Sequence, residues 1–262
     1  MRALMPLPNS DFDPTETGVP WRALVAAGHE VVFATPDGQG AAADDRLLTG
    51  EGLGWARRFL VTAAPGVEAY REMASSEAFA SPIPYTAIAG ETFDALVLPG
   101  GHAQGMKPFL ESSEVQEAIA RQMSEGRIVA AICHGVLAVA RSRDPESGEP
   151  VLRGRRTTAL TRRMELTAWR LTKRRLDNYY RTYPEPVQDE VTAVLEAPDH
   201  FAEGPGGLRG FFEKILPLRD RPGSLARGFV VRDGNYLSAR WPGDAHAFSA
   251  TLVEMLAERS GR

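Results

Sequence analysis

Hydrophobic positions in the first half of the chain follow two alternating patterns. Short apolar runs predict buried strands at Arg2–Met5, Glu30–Ala34, Ala95–Leu98 and Gly126–Ile132. Between them, apolar residues at helical spacing predict helices from Asp13 to Gly28, between Val67 and Phe79, and over Glu114–Glu125. Pro36–Gly54 has neither pattern and is predicted to be a loop. Because strands alternate with helices, the predicted fold class is α/β, with a mostly parallel sheet covered on both faces.

The second half of the chain is less regular. Thr157–Leu160 is a candidate strand, and the residues from Phe229 to Ser238 predict a hairpin with an Asp-Gly turn at Asp233-Gly234. A final helix is predicted from Ala245 to Arg259. Pro198–Gly228 is rich in Gly and Pro, which predicts a long surface excursion in the role of a lid or a dimer contact. We find no internal repeat, so residues 1–262 are predicted to form a single domain with an elaborated C-terminal half.

Composition and charge narrow the class of protein. The 262 residues are 43% hydrophobic, which is enough for a sizeable core. The chain has 30 Lys plus Arg and 34 Asp plus Glu, so its positive and negative charges are nearly balanced. The chain therefore lacks the overall excess of basic residues that is typical of nucleic-acid-binding proteins. No apolar run reaches about 18 residues, so no membrane helix is predicted, and the first residues lack a signal-peptide pattern. A lone cysteine cannot form an internal disulfide, which favours a reducing, cytoplasmic location.

One basic stretch departs from this balance. From Arg153 to Arg175 the only acid is Glu165. Apolar residues recur inside the stretch at helical spacing, which predicts an amphipathic helix whose arginines form the solvated face: Leu160, Met164, Ala168 and Leu171. A site for an anion or a partner is the alternative.

The lone cysteine is the strongest candidate for chemistry. Cys133 stands between a predicted strand and the helix-like run Gly135–Arg141, with small residues two positions before and after it. This pattern is typical of a nucleophile elbow, a strained strand-to-helix turn that leaves no room for larger side chains. The N-terminus of a helix favours the thiolate form of a cysteine. An unperturbed thiol has a pKa of about 8.5, and this pKa must be lowered before the cysteine is a ready nucleophile at neutral pH. The alternative is an ordinary buried thiol.

Two other segments are expected to meet the cysteine, because open α/β sheets place their sites at the carboxyl ends of parallel strands. Glu16 is a candidate proton donor or acceptor, although Asp13-Pro14-Thr15-Glu16 also fits an N-cap followed by a capping-box glutamate. Gly100-Gly101-His102 follows a strand, and its amides with that of His134 fit an oxyanion hole. A simple strand-ending turn is the alternative. His102 and His134 lack the fixed spacing of metal ligands, so no metal is predicted.

In order along almost the whole chain, the segments resemble the ThiJ/PfpI superfamily, the class I glutamine amidotransferase-like proteins. The histidine directly after the cysteine, in Cys133-His134-Gly135, is similar to the branch containing a heat-shock chaperone with glutathione-independent glyoxalase (glyoxalase III) activity. The resemblance implies a flavodoxin-like three-layer sandwich, a homodimer, and Glu16 beside the cysteine in a catalytic or redox role. It rests on these segments: Asp13–Trp21, Phe33–Gly38, Asp94–Ala103, Ala131–Gly135 and Val231–Pro242.

The resemblance also implies a function: a cysteine-dependent enzyme on small reactive aldehydes, either a glyoxalase that converts methylglyoxal to lactate or a deglycase-like enzyme. Cys133 is then the nucleophile, and Glu16 or His134 moves a proton. Branch members often supply a third acid after the elbow to orient the histidine, and Thr157–Trp169 offers only Glu165. No cofactor is implied. Two alternatives stay open: an amidase or peptidase that forms an acyl-thioenzyme, and a non-enzymatic redox sensor or chaperone whose Cys133 oxidises to a sulfinate.

Overall fold

A computed structural model describes residues 1–205 and 218–261 of the chain. Its centre is a seven-stranded sheet. The strands are β1 (Arg2–Pro6), β2 (Glu30–Thr35), β3 (Ile83–Pro84), β4 (Ala95–Leu98), β5 (Ile128–Ile132), β6 (Val230–Asp233) and β7 (Tyr236–Ala239). Their spatial order is β3-β2-β1-β4-β5-β7-β6, and every neighbouring pair is parallel except β6 and β7.

Helices cover both faces of this sheet. They are α1 (Pro14–Ala26), α2 (Asp45–Thr49), α3 (Arg57–Leu60), α4 (Ala64–Ala74), α5 (Glu77–Ala80), α6 (Lys107–Leu110), α7 (Ser113–Ser124), α8 (Gly135–Arg141), α9 (Arg162–Leu176), α10 (Val187–Ala193) and α11 (Ala245–Ser260). Helix α1 packs between α4 and α11, while α7, α8 and α10 pack against one another. The predicted α/β class with a mostly parallel sheet is confirmed.

The central strands show why the apolar runs predicted them well. All residues of β4 and β5 are buried, because helices cover the sheet on both sides. A strand covered on both faces is apolar throughout instead of alternating. The carboxyl ends of β1, β4, β5 and β7 therefore meet at one edge of a rigid sheet, and this edge holds the candidate site.

Several local predictions need correction. Thr157–Leu160 is not a strand: it contributes an isolated bridge between Thr157 and Phe201. The predicted Pro36–Gly54 loop contains α2, and the helix predicted between Val67 and Phe79 is divided into α4 and α5. The hairpin turn lies one residue later, since Asp233 pairs with Tyr236 across a two-residue loop.

The amphipathic helix predicted in the basic stretch is present as α9, with its arginines largely exposed. Its fully buried positions are Glu165 and Thr172, whereas Leu171 is 36% exposed. Residues 206–217 of the predicted excursion from Pro198 to Gly228 lie outside the described residues. Its described ends form short 3₁₀ turns at Pro198–His200 and Leu225–Arg227.

Candidate active site

The turn between β5 and α8 has the backbone of an elbow. Cys133 has a φ of 58°, in the left-handed region that non-glycine residues rarely adopt. Gly135 packs so closely on β4 that a Cβ there would lie 2.1 Å from the carbonyl oxygen of Leu98. Only glycine fits such an approach. The structure therefore has the strained strand-to-helix turn that the small residues around Cys133 predict.

Glu16 points into the site instead of closing a capping box. The carboxylate of Asp13 caps α1, accepting from the amides of Thr15 at 2.7 Å and Glu16 at 3.1 Å. The amide of Asp13 donates to the carbonyl of Gly100 at 2.8 Å, so it does not need the Glu16 carboxylate as a partner. The capping-box interpretation of Glu16 is therefore wrong, and its fully buried side chain is free to serve the site.

Gly100 brings the acid and the thiol together. Its amide donates to Oε2 of Glu16 at 2.8 Å, and a Cβ on Gly100 would lie 3.0 Å from Cβ of Cys133. A Cβ on Gly100 would lie 2.7 Å from the amide nitrogen of His134 and 2.8 Å from Oε2 of Glu16. The Gly100 amide already donates to Glu16, so it is not free to donate to an oxyanion. The expectation that Gly100 contributes to an oxyanion hole is therefore wrong. Oε1 of Glu16 has no partner among the described residues.

Two neutral histidines line the other side of the thiol. Nδ1 of His134 lies 3.5 Å from Sγ of Cys133. The ring of His102 packs edge-on against the ring of His134, with 5.1 Å between the two centroids. Burial lowers the pKa of His102 to about 4. Burial, followed by the charges of His102 and Arg141, lowers the pKa of His134 well below its usual value. Both imidazoles are therefore uncharged at neutral pH, so each can accept a proton.

Glu165 does not orient His134. Its Oε2 accepts from the amide of Val187 at 2.9 Å, and its Oε1 lies 3.5 Å from Nε of Arg181. Across the described part of the chain, no carboxylate bonds the His134 ring. The third acid expected from the resemblance is therefore absent from that position.

The thiol and its neighbouring acid both favour their protonated forms. Burial raises the pKa of Cys133 well above its usual value, and the carboxyls of Glu16 and Asp13 raise it further. Burial also raises the pKa of Glu16, followed by the effect of Asp13. The directions of both shifts are opposite to the thiolate expected from the sequence, so a neighbouring base has to remove the thiol proton during reaction.

Two side chains that the sequence analysis missed stand at the same edge. Tyr180 is buried, its ring centroid lies 4.9 Å from that of His102, and its hydroxyl has no partner among the described residues. Arg219 lies close enough to Asp13, Tyr180 and Glu16 to interact with their charges. Neither residue belongs to a motif, so no local signal marks it.

The described residues contain no group of three or more His, Cys, Asp or Glu arranged to hold a metal ion. Within the same residues, none of the helices has the length and apolar content of a membrane span.

Comparison with known proteins gives consistent matches. The profile of a family described as ThiJ/PfpI family-like matches residues 7–203. An uncharacterized protein of Schizosaccharomyces pombe is 30% identical over 144 residues, 52% of each chain, so this match spans about half of that relative's length. A deglycase of Pyrococcus abyssi is 26% identical over 257 residues, 98% of this chain and 99% of that protein.

Solved structures show the same architecture. Glyoxalase III from Candida albicans superposes with a TM-score of 0.64 and covers 97% of both chains, at 18% sequence identity. An identity this low shows a shared fold and no more.

Proposed function

The chain belongs to the ThiJ/PfpI-like family, and from that membership we propose that it is a cysteine-dependent enzyme acting on small reactive aldehydes. The proposed reaction is the conversion of methylglyoxal and water to lactate without glutathione. The observation that carries the proposal is the Glu16 carboxyl, held on the Gly100 amide and buried beside Cys133 at the elbow. The names of the Pyrococcus and Candida relatives support the same class of substrate.

The first step is addition of the thiol to the aldehyde. Sγ of Cys133 forms a bond to the aldehyde carbon, the carbonyl π pair moves to oxygen, and the thiol proton passes to the neutral His134 ring at 3.5 Å. The amides of Gly101 and His134 hold the developing oxyanion. Return of the proton to that oxygen gives a hemithioacetal.

The second step moves a proton between adjacent carbons. Oε1 of Glu16, which has no other partner among the described residues, takes the proton from the sulfur-bearing carbon and returns it to the neighbouring one. The intermediate enediol becomes the thioester of a 2-hydroxy acid. A raised pKa makes the Glu16 carboxylate a stronger base, which favours its taking the proton from carbon.

The third step releases the product. Water adds to the thioester carbonyl, the carbon–sulfur bond breaks, and the sulfur leaves with the proton that the water supplies. The sum of the three steps is methylglyoxal plus water to lactate, so the thiol is regenerated and the electrons balance within the substrate.

Lactate formation from methylglyoxal without glutathione tests this proposal. We expect wild-type protein to produce lactate and Cys133→Ala to lose essentially all of this activity. Glu16→Gln should lower kcat by about 100-fold or more, the usual contribution of a positioned acid–base group. Glu68→Gln, a change of an exposed glutamate, is the matched control and should have the wild-type rate. Equal rates for the wild type and Cys133→Ala would refute the proposal.

A further inference from the structure

A buried hydroxyl at the site edge has no hydrogen-bond partner among the described residues. Tyr180 is 1% exposed, and its oxygen makes no hydrogen bond with any described residue. Burial raises the pKa of Tyr180, so the phenol keeps its proton and can donate it in a hydrogen bond. A buried donor without a partner is costly, by roughly 1–3 kcal/mol, unless something binds it. Its position against the His102 ring points to a ligand in the site.

Arg219 lies within electrostatic range of residues of the same site. Its Nη2 donates to the carbonyls of Phe59 at 3.1 Å and Val61 at 3.3 Å, on the segment that follows β2. On the other side its guanidinium stands 5.4 Å from the ring centroid of Trp241, which follows β7. It forms no ion pair within residues 1–205 and 218–261, although it lies within electrostatic range of Tyr180 and Glu16.

We propose that Tyr180 and Arg219 bind the far end of the substrate and that this end is a carboxylate. The substrate class is then a 2-oxoaldehyde with an anionic tail: the aldehyde head reaches Cys133, and the tail reaches the guanidinium and the phenol. The identity of the head rests on the proposed function. Arginine suits the tail because its planar donors match the geometry of a carboxylate.

The charges around Arg219 fit this role. Ionised carboxyls at Asp13 and Glu16 would repel an anionic tail. Burial raises the pKa of both groups, which reduces their negative charge. The positive charge of Arg219 is therefore available to an incoming anion. The alternative role for Arg219 is only to neutralise the charge of Asp13. In that case substitution of Arg219 would leave the preference between substrates unchanged.

Two aldehydes with the same head separate these roles. Methylglyoxal has a neutral methyl tail, whereas 4,5-dioxopentanoate ends in a carboxylate and would give 2-hydroxyglutarate by the same steps. We expect wild-type kcat/KM to favour 4,5-dioxopentanoate by about tenfold or more, the effect of a hydrogen bond to a charged group. Arg219→Gln should remove that preference, lowering kcat/KM for the anionic aldehyde about tenfold more than kcat/KM for methylglyoxal.

Variants at nearby positions complete the test. Arg219→Lys should retain part of the preference, and Tyr180→Phe should lower kcat/KM for 4,5-dioxopentanoate alone. Arg221→Gln, a change at an exposed arginine two positions later, should behave as wild type. An equal loss for both aldehydes in Arg219→Gln, or a wild-type preference for methylglyoxal, would overturn the proposal.

A binding measurement makes the test independent of turnover. Calorimetry with 2-hydroxyglutarate is carried out on Cys133→Ala and on Cys133→Ala/Arg219→Gln, with lactate as the neutral-tailed comparison. We expect 2-hydroxyglutarate to bind about tenfold more tightly than lactate to the first protein and no better than lactate to the second. Equal binding of the two acids to Cys133→Ala would refute the anionic tail even if methylglyoxal is turned over. Tight, Arg219-dependent binding without turnover of either aldehyde would support the tail site and refute the proposed reaction.

Discussion

Two effects of opposite sign act on the Cys133 thiol. The N-terminus of α8 favours the thiolate, but such an effect is worth about 0.3–1 kcal/mol and at most about 2. That corresponds to less than about 1.5 pKa units. Full burial of an ionisable group raises its pKa by up to about 3–5 units, and Cys133 is 1% exposed. Burial therefore outweighs the helix terminus, and the pKa of Cys133 is raised.

The pH profile of alkylation checks this conclusion, because Cys133 is the only thiol. The thiolate is the form that reacts with iodoacetamide. The rate should therefore increase about tenfold per pH unit between about pH 6 and pH 9, without levelling off. Glutathione alkylated in parallel is the control for reagent chemistry. A plateau at or below about pH 7 would show a stabilised thiolate, and would favour the redox-sensor alternative, which needs an easily oxidised anion.

Glu16 shows how far the sequence could predict the site. The order Asp13-Pro14-Thr15-Glu16 correctly places an N-cap, because Asp13 accepts from the amides of Thr15 and Glu16. The same spacing is compatible with two orientations of the Glu16 side chain. The choice depends on Gly100, whose amide holds the carboxylate and whose carbonyl takes the Asp13 amide. No local pattern contains that contact, so the spacing left both interpretations of Glu16 open, and the resemblance favoured the site role.

At the scale of elements, Gly100 fixes the distance between α1 and the elbow. Gly100→Ala should lower the free energy of unfolding by about 1–3 kcal/mol, the usual cost of extra volume in a packed region. The added methyl would meet the His134 amide and the Glu16 carboxylate, so activity should fall as well. Urea denaturation and the lactate assay measure the two effects. Gly40→Ala is the control, since a Cβ at Gly40 meets nothing within 4 Å. Equal stability of the two variants would contradict the close approach.

The elements also show where hydrophobic pattern is sufficient and where it is not. Strands β4 and β5 were predicted well because burial on both faces makes their residues uniformly apolar. Thr157–Leu160 joins two β-branched threonines to two apolar residues and is no strand. Thr157 Oγ1 lies 2.9 Å from the hydroxyl of Tyr236, and the Thr158 amide donates to Oγ of Ser238 at 3.0 Å. A side chain of β7 thus accepts the hydrogen bond of the Thr158 amide, which a neighbouring strand would otherwise accept. The composition of the segment does not reveal this contact.

At the scale of the whole molecule, the C-terminal half completes a site that the N-terminal half begins. Tyr180 stands against His102, and Arg219 donates to the carbonyls of Phe59 and Val61. The Tyr179 hydroxyl donates to Oδ2 of Asp44, the residue that caps α2. These contacts join residues far apart in the chain and follow no spacing rule, so the sequence alone did not predict them. The single domain over residues 1–262 and the homodimer stay predictions.

Burial of Asp44 makes stability depend on pH. Burial raises the pKa of Asp44 from its usual value near 3.8 to about 7. Between these values the folded chain holds a proton that the unfolded chain has lost, so the free energy of unfolding decreases as pH rises. One group contributes about 1.4 kcal/mol per pH unit, or about 3 kcal/mol between about pH 5 and pH 7.5.

Asp44→Asn isolates this contribution, because asparagine resembles the protonated acid and does not titrate. Its unfolding free energy should decrease about 3 kcal/mol less than that of the wild type when pH is raised from about 5 to 7.5. Urea denaturation at both values measures the difference, and all other titrating groups are common to the two proteins. Asp45→Asn, at the exposed next residue, should keep the wild-type dependence. If Asp44→Asn and wild type lose stability equally, Asp44 is ionised in the folded protein, and Tyr179 donates to a carboxylate instead of sharing a bond with a neutral acid.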